Sequence, residues 1–371
     1  MTLTVREHAP LAPSSAHCWV HCAGWQSLHA AFPEPADTLP AMEGTAAHWV
    51  FEEMLAGRTV VVDMTAPNGV LITEEMLDGA ELFVDTVRAA LGDAKPYVEY
   101  KLSMEKTIHP DNWGTPDVFG LLENGIRLLD YKYGHLYVEE YENWQCIDYV
   151  AGIYESCGSR HRDDTPVEIT IVQPRVFNRG SPVRTWKTTI GALKPYWEKM
   201  RAAAALAMCD EAPCVPDDYC RFCSGRHACE ALQRVALMQI EQAYSSLPLV
   251  LPPKAASREL VAMQRAAEML SARITGLEQY LLNQVRNGVQ VPDFTVERAQ
   301  GRQRWMRPAQ EVIALGSLYG VNLGKPNTIT PKQAIKAGVP AAVVAQLSDE
   351  PLGEWRLVQI DSTKARKAFG A

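Results

Sequence analysis

Gly114-Thr115-Pro116-Asp117-Val118-Phe119-Gly120-Leu121-Leu122-Glu123-Asn124-Gly125-Ile126-Arg127-Leu128-Leu129-Asp130-Tyr131-Lys132 sets two acids and an amine around an apolar run. Asn124-Gly125 is the dipeptide a two-residue hairpin turn favours, because both turn positions need positive φ. Apolar residues flank it on both sides, so the stretch reads as two antiparallel strands. With Asn124 and Gly125 as the loop, Glu123 faces Ile126, Phe119 faces Asp130 and Asp117 faces Lys132. Residues opposite one another, and residues two apart on one strand, share a face. Asp117, Asp130 and Lys132 then lie on one face, the two acids on a diagonal of roughly 7–8 Å between backbones. A slip of one residue would break the arrangement.

Two carboxylates so placed make a hard oxygen site for Mg²⁺ or Mn²⁺. Such an ion activates water and offsets charge on a phosphoryl oxygen. A neighbouring ammonium group can orient the nucleophile or stabilise the transition state. A surface hairpin with a salt-bridged Asp and Lys would use the same residues, so the decision passes to the rest of the chain.

Upstream, Ser14 or Ser15 is a fitting cap for a helix running through Leu28, on which Cys18 and Cys22 share a face. Pro33 to Pro40 reads as a loop. Glu43-Gly44-Thr45-Ala46-Ala47-His48 opens a second helix. A third runs from Thr73 to Leu91 with an apolar stripe. Tyr97 to Ser103 alternates as a strand, with Glu99 as a further carboxylate or an exposed strand residue. Downstream, Tyr141 to Tyr154 is a helix with Gln145 and Tyr149 four apart, and Val167 to Pro174 is a strand. Arg175, Arg179 and Arg184 would flank a groove or simply be solvated. Gly191 to Met208 is an Ala-rich helix. Cys220, Cys223 and Cys229 then form a C-x2-C-x5-C cluster, with Cys214 and His227 nearby. Clustered thiols without a secretory signal point to metal ligation rather than disulfides. Zinc takes four ligands, whereas three clustered thiols plus a remote one suit an iron–sulfur cluster.

Taken together, the chain resembles the PD-(D/E)xK nuclease superfamily. Pro116-Asp117 matches its first acidic motif and Asp130-Tyr131-Lys132 its D-x-K. Gly44-Thr45-x-x-His48 ahead of the hairpin and Gln145-x-x-x-Tyr149 after it resemble the RecB-like branch. A lone Cys22 before the core, in Trp19-Val20-His21-Cys22, and the C-x2-C-x5-C after it are similar to the iron–sulfur nucleases of that branch, such as the AddB subunit and the CRISPR-associated exonucleases. The resemblance covers residues 10–235 and, with the region that follows, is greatest to phage- and prophage-borne RecB-like proteins. It implies an α/β fold with a restriction-endonuclease-like core, a mixed central sheet flanked by helices. It implies metal ligation by His48, Asp117, Asp130 and the Tyr131 carbonyl. Catalytic roles fall to Asp117, Asp130, Lys132, Gln145 and Tyr149, the last two lining the site and touching the DNA backbone. It implies a 4Fe-4S staple on Cys22, Cys220, Cys223 and Cys229, with zinc as the alternative and Cys18 or Cys214 as competing ligands. The implied activity is a metal-dependent DNA exonuclease in phage or bacterial recombination or repair. A DNA-end-binding or partner-recruiting scaffold without turnover is the alternative.

The 371 residues and net charge of −8 give no global attraction to nucleic acid, so DNA contact must come from a local groove and metal ions. The chain holds no apolar run long enough to span a membrane, and its first residues lack a signal-peptide pattern. A cytoplasmic protein of a bacterial or phage-infected cell is expected. The division reads as residues 1–240 for the nuclease domain, 241–256 for a Pro-rich linker and 257–371 for an α+β accessory domain. That last domain begins on an amphipathic helix over 257–285, has a hairpin around Gly301, and has a helix from Thr330-Pro331 to a stop at Gly338. Arg298, Arg302, Arg304 and Trp305 are candidates to grip single-stranded DNA. DNA is the expected partner. A single-strand-annealing or recombinase protein and a homo-oligomer are compatible with the chain.

Overall fold

A computed structural model describes residues 9–32, 38–123, 125–157, 162–176, 181–243, 251–300, 304–307, 309–325, 327–328, 331–336, 338–349 and 352–359. The chain divides into two compact units, Met1–Arg273 and Ile274–Ala371.

The first unit opens on a 3-10 turn, Pro13–Ser15, and two short helices, α1 (Ala16–Trp19) and α2 (Trp25–Ala30), rather than one helix through Leu28. The break falls where the Gly24 N–H is taken by the Pro213 carbonyl at 2.9 Å. Helix α3 (Leu39–Leu55) starts earlier than the sequence suggests. Thr38 caps it through an Oγ1 bond from Ala41 N, and Pro40 sits in the first turn, where its missing N–H costs nothing. Helix α4 (Glu74–Leu91) is capped by Thr73 as expected.

Strand β1 (Pro96–Val98) ends at Glu99, whose φ of 45° breaks the anticipated longer strand. The next pair, β2 (Leu102–Ser103) and β3 (Trp113–Gly114), forms its own two-stranded ladder. Then come β4 (Val118–Leu122), β5 (Gly125–Tyr131), helix α5 (Trp144–Cys157), β6 (Pro166–Val172), β7 (Val183–Thr189) and α6 (Ile190–Ala207). The main sheet runs β1-β4-β5-β6-β7. All its neighbours are antiparallel except β5 and β6, which are parallel and joined through α5, as a parallel pair requires a crossover.

Alternation of side chains splits the core into two layers. Val118, Leu129, Tyr131 and Val172 pack with α3 and α4. Phe119, Ile126, Leu128, Ile169 and Ile171 pack with α5 and α6. The sheet is therefore mixed, central and covered on both faces.

The hairpin register differs by two from the expected one. Leu122 pairs with Gly125 and Val118 with Leu129, which sets Asp117 across from Asp130 rather than from Lys132. A shift of two preserves the face on which every side chain lies, so the grouping survives. Gly125 is a strand residue here. Its value is close approach, since a Cβ on it would sit 2.7 Å from the Pro166 carbonyl oxygen. Asn124 lies outside the described residues.

Helix α7 (Glu230–Ala243) and the 34-residue α8 (Pro253–Arg286) follow. Residues assigned to a linker at 241–243 and 253–256 are helical, and the unit boundary falls inside α8 after Arg273. In the second unit, β8 (Phe294–Gln300) does not form a hairpin with β9 (Arg304–Trp305). After α9 (Ala309–Leu318), a small hairpin β10 (Gly324–Lys325) and β11 (Asn327–Thr328), α10 (Pro331–Lys336) and α11 (Ala341–Leu347), the chain returns. There β12 (Ser348–Asp349) pairs with β9 and β13 (Leu352–Gln359) with β8. Gly338, at φ 107°, stops α10 as expected, and its N–H bonds the Ile335 carbonyl. Val312, Leu323, Ala334, Val339 and Val344 form the core of this unit, with Trp305 packed against them. Trp305 is thus half-buried against this small core. Arg302, Arg179 and Thr330 lie outside the described residues. Among those described, no helix is long and apolar enough to cross a membrane.

Candidate functional site

Asp117 precedes β4 at the end of the sheet, and its side chain reaches across the strand ends. Its Oδ2 accepts the Tyr131 N–H at 2.6 Å and lies 3.4 Å from His48 Nε2. His48 sits on α3 with Nδ1 2.9 Å from the Gly44 carbonyl oxygen. That contact places the proton on Nδ1 and turns Nε2 to the carboxylate. Burial opposes an imidazolium here, but the Asp117 carboxylate outweighs it and holds His48 up at about 9. Burial likewise opposes ionisation of Asp117. The His48 charge, with Lys132 and the Tyr131 N–H, prevails and keeps its pKa below the ordinary value.

Asp130 is 2% exposed, next to the last residue of β5. Lys132 Nζ donates to Asp130 Oδ1 at 3.3 Å and to Gln145 Oε1 at 3.0 Å, while Gln145 Nε2 donates to Asp130 Oδ1 at 3.2 Å. Gln145 comes from the first turn of α5, so the helix following D-x-K closes the site. Tyr149, one turn on, is 6% exposed and hydrogen-bonds Gln145. It stands in the core layer, supporting Gln145. Burial, reinforced by Asp117, raises the Asp130 pKa in spite of Lys132. Burial lowers that of Lys132, but Asp130 and Asp117 more than restore it.

Asp130 Oδ2 is left over. Nζ of Lys132 lies 3.0 Å away, yet the directions do not make a hydrogen bond, and the atom is buried without one. A buried carboxylate oxygen held by an ion pair but by no hydrogen bond is poorly satisfied. It is the kind of donor a hard cation takes. Among the described residues no three His, Cys, Asp or Glu side chains already converge on a single ion position, and Lys132 occupies the space beside Asp130. The Tyr131 ring points into the other layer, 5.4 Å from the His48 ring, so only its backbone is at the site.

The arginines proposed to flank a groove are otherwise engaged. Arg175 bridges Glu43 of α3 and Glu75 of α4 at 3.0 and 2.7 Å, with its guanidinium 4.0 Å from the Tyr133 ring centre. Arg184 is buried and donates to Glu140, Val138 O, Ser181 O and Gln173. Both brace the scaffold.

A second cluster lies where the N-terminal helices meet the segment before α7. Cys22, Cys214, Cys220, Cys223 and Cys229 line one cavity with Trp25, Tyr219 and Arg226, leaving about 290 Å³ free of atoms, its open side included. Cys22 Sγ accepts the Val215 N–H at 3.3 Å, a contact between residues 193 apart in sequence. Cys229 Sγ accepts the Leu232 N–H at 3.4 Å. Burial and neighbouring thiols push Cys220 up to about 11 and Cys223 and Cys214 to about 12. Cys18 is buried on α1 and does not line the cavity; His227 packs edge-on to Phe32 at 4.4 Å and does not line it either. Cys214 does, so the cage holds one thiol more than the four expected from spacing. Arg226 was not singled out in the sequence, since an arginine inside a cysteine run is by default solvated.

A family model described as "Protein of unknown function (DUF2800)" matches residues 8–323, and the chain belongs to that family. The match spans the carboxylate site, the thiol cage and part of the second unit.

Proposed function

We propose that this member of the DUF2800 family is a metal-dependent DNA exonuclease of the PD-(D/E)xK type, with its reaction centre at His48, Asp117, Asp130 and Lys132. One observation carries the reading. Residues from α3, the β4–β5 hairpin and α5 meet at one end of the sheet, and they leave Asp130 Oδ2 buried, ion-paired to Lys132 but without a hydrogen bond.

His48, Asp117, Asp130 and the Tyr131 carbonyl would hold Mg²⁺ or Mn²⁺, which when bound supplies Lewis-acid activation of water and offsets charge at the phosphate. The donor set of carboxylate oxygens and one imidazole suits these ions. Lys132 is already held by two acceptors, so it is placed to orient a water or donate to a developing oxyanion. Gln145 fixes both Lys132 and Asp130 through its two amide atoms. The buried apolar walls of the second cluster and its thiols fit an iron–sulfur core held by Cys22, Cys220, Cys223 and Cys229, which when bound would tie the N-terminal helices to the segment before α7. A zinc ion, or Cys214 in place of one ligand, is the variant of that reading. Phage or bacterial recombination and repair is the matching setting, with DNA as substrate.

The test is degradation of linear and circular DNA by purified protein with Mn²⁺. Asp117→Ala and Lys132→Ala should each abolish it while the folded far-UV signal remains. Turnover at the wild-type rate in both variants would remove the proposed centre.

A further inference from the structure

Arg226 is a buried charged residue on the wall of the thiol cage. It lies within the C-x5-C segment, is 6% exposed, and lines the same cavity as the cysteines. Its Nη1 donates to the Arg221 carbonyl at 2.7 Å and to the Cys223 carbonyl at 3.0 Å. Burial disfavours the guanidinium cation, and ionised Cys223 and Cys220 favour it.

Cys22, Cys220, Cys223 and Cys229 line the same cavity. A coordinated thiol is deprotonated outright. Four thiolates around a divalent core, whether a single ion or a cubane, then carry a net dianionic charge inside an apolar shell. Burying that charge is expensive without a partner, and Arg226 is a cation already buried on the wall of the cage.

We propose that Arg226 is the counter-charge of the cysteine-bound group, and sets how readily that group accepts an electron. The inference rests on the reading of the cage as an iron–sulfur site. A nearby cation stabilises the more negative state, so it raises the reduction potential. Its bonds to Arg221 and Cys223 would also brace the loop, and that role alone would depend on the fork shape of the side chain, not on its charge.

Two variants separate these roles. Arg226→Gln removes the charge, and Arg226→Lys keeps it while losing the fork. The full chain is purified anaerobically, its iron and sulfide are measured, and its visible absorbance is followed during stepwise reduction with dithionite. The expected result is a lower reduction potential for the Gln variant and one close to wild type for the Lys variant. Loss of iron in the Gln variant with retention in the Lys variant supports the proposal equally. An unchanged potential in the Gln variant, or the same shift or the same iron loss in both, overturns it. Wild-type protein without iron and sulfide would instead overturn the reading of the cage.

Discussion

The carboxylate site and the thiol cage sit in one unit, yet they are built on opposite plans. At the carboxylate site most polar groups have a protein partner: His48 with Gly44 and Asp117, Asp117 with Tyr131, Lys132 with Asp130 and Gln145. The cage is made of thiols and mostly apolar walls, with a few N–H···S contacts and the backbone bonds of Arg226 and Tyr219. The first is organised by hydrogen bonds whether or not an ion is bound. In the second, the thiols themselves have few polar partners. A polar site can therefore lose its ion and keep its shape, while a cage of this kind should not.

The largest contrast to be expected is between activity and stability. Asp117→Asn keeps an oxygen for the Tyr131 N–H but removes the charge that would bind the cation. On the proposed function, loss of several kcal/mol of transition-state stabilisation means a fall in nuclease rate of roughly 10³-fold or more, with the melting temperature falling only by what the lost His48–Asp117 pair contributes. Cys220→Ser should do the reverse: the iron content falls and the folded state loses several kcal/mol, on the order of a removed structural cross-link. Parallel thermal melts and DNA-degradation assays on the two variants check this. Equal destabilisation by both would erase the distinction.

A smaller effect sharpens the polar side of the comparison. Between Gln145 and Tyr149, Asp148 is fully buried and accepts a 3.0 Å hydrogen bond from Asn112 Nδ2. Asp148 Oδ1 and Asn112 Oδ1 are both buried and, among the described residues, accept nothing. One proton on Asp148 would join these two oxygens and close a reciprocal acid–amide pair. Burial accordingly drives the Asp148 pKa well above 3.8 in spite of the Asn112 bond. With the folded pKa raised, the contribution to stability is complete below the ordinary carboxyl range and is lost as pH climbs toward the folded value. Asp148→Asn can donate to Asn112 without ionising. Its stability should therefore gain on wild type as pH rises, by up to about 1.4 kcal/mol per pH unit. Urea unfolding at pH 5, 6.5 and 8 measures this, and parallel curves for the two proteins would mean that Asp148 is ionised.

The two sites were also unequally legible in the sequence. Asp117, Asp130 and Lys132 could be grouped beforehand because strand parity is a local rule, whereas His48 and Gln145 joined them only through the resemblance of their motifs to RecB-like nucleases. Even an error of two in the hairpin register left every side chain on its face. What failed were judgments that depend on distant partners. Gly125 looked like a turn residue, but it serves the approach of Pro166. Glu99 breaks the strand through its backbone. Arg175 and Arg184 looked solvated, and their partners Glu43, Glu75 and Glu140 lie 132, 100 and 44 residues away. The hairpin expected around Gly301 was wrong for the same reason, because β8 and β9 pair with strands that come after α11. The C-x2-C-x5-C spacing marked the cage, but nothing local could say that Cys214 lines it and Cys18 does not.

That last difference gives the smallest effect. Cys18 and Cys22 are one helical turn apart, and both are buried, so spacing alone leaves them equivalent. Only Cys22 lines the cavity and accepts the Val215 N–H. Cys18 is held away from neutral-pH ionisation, up at about 12, by burial and by the neighbouring thiols; it acts as a small apolar filler. Cys18→Ala deletes one sulfur from a packed layer and should cost about 1 kcal/mol, with iron and sulfide content unchanged. Cys22→Ser should lose iron. If the Cys18 variant loses the group and the Cys22 variant keeps it, the remote ligand has been assigned to the wrong turn of the chain, and the N-terminal side of the cage must be redrawn around α1.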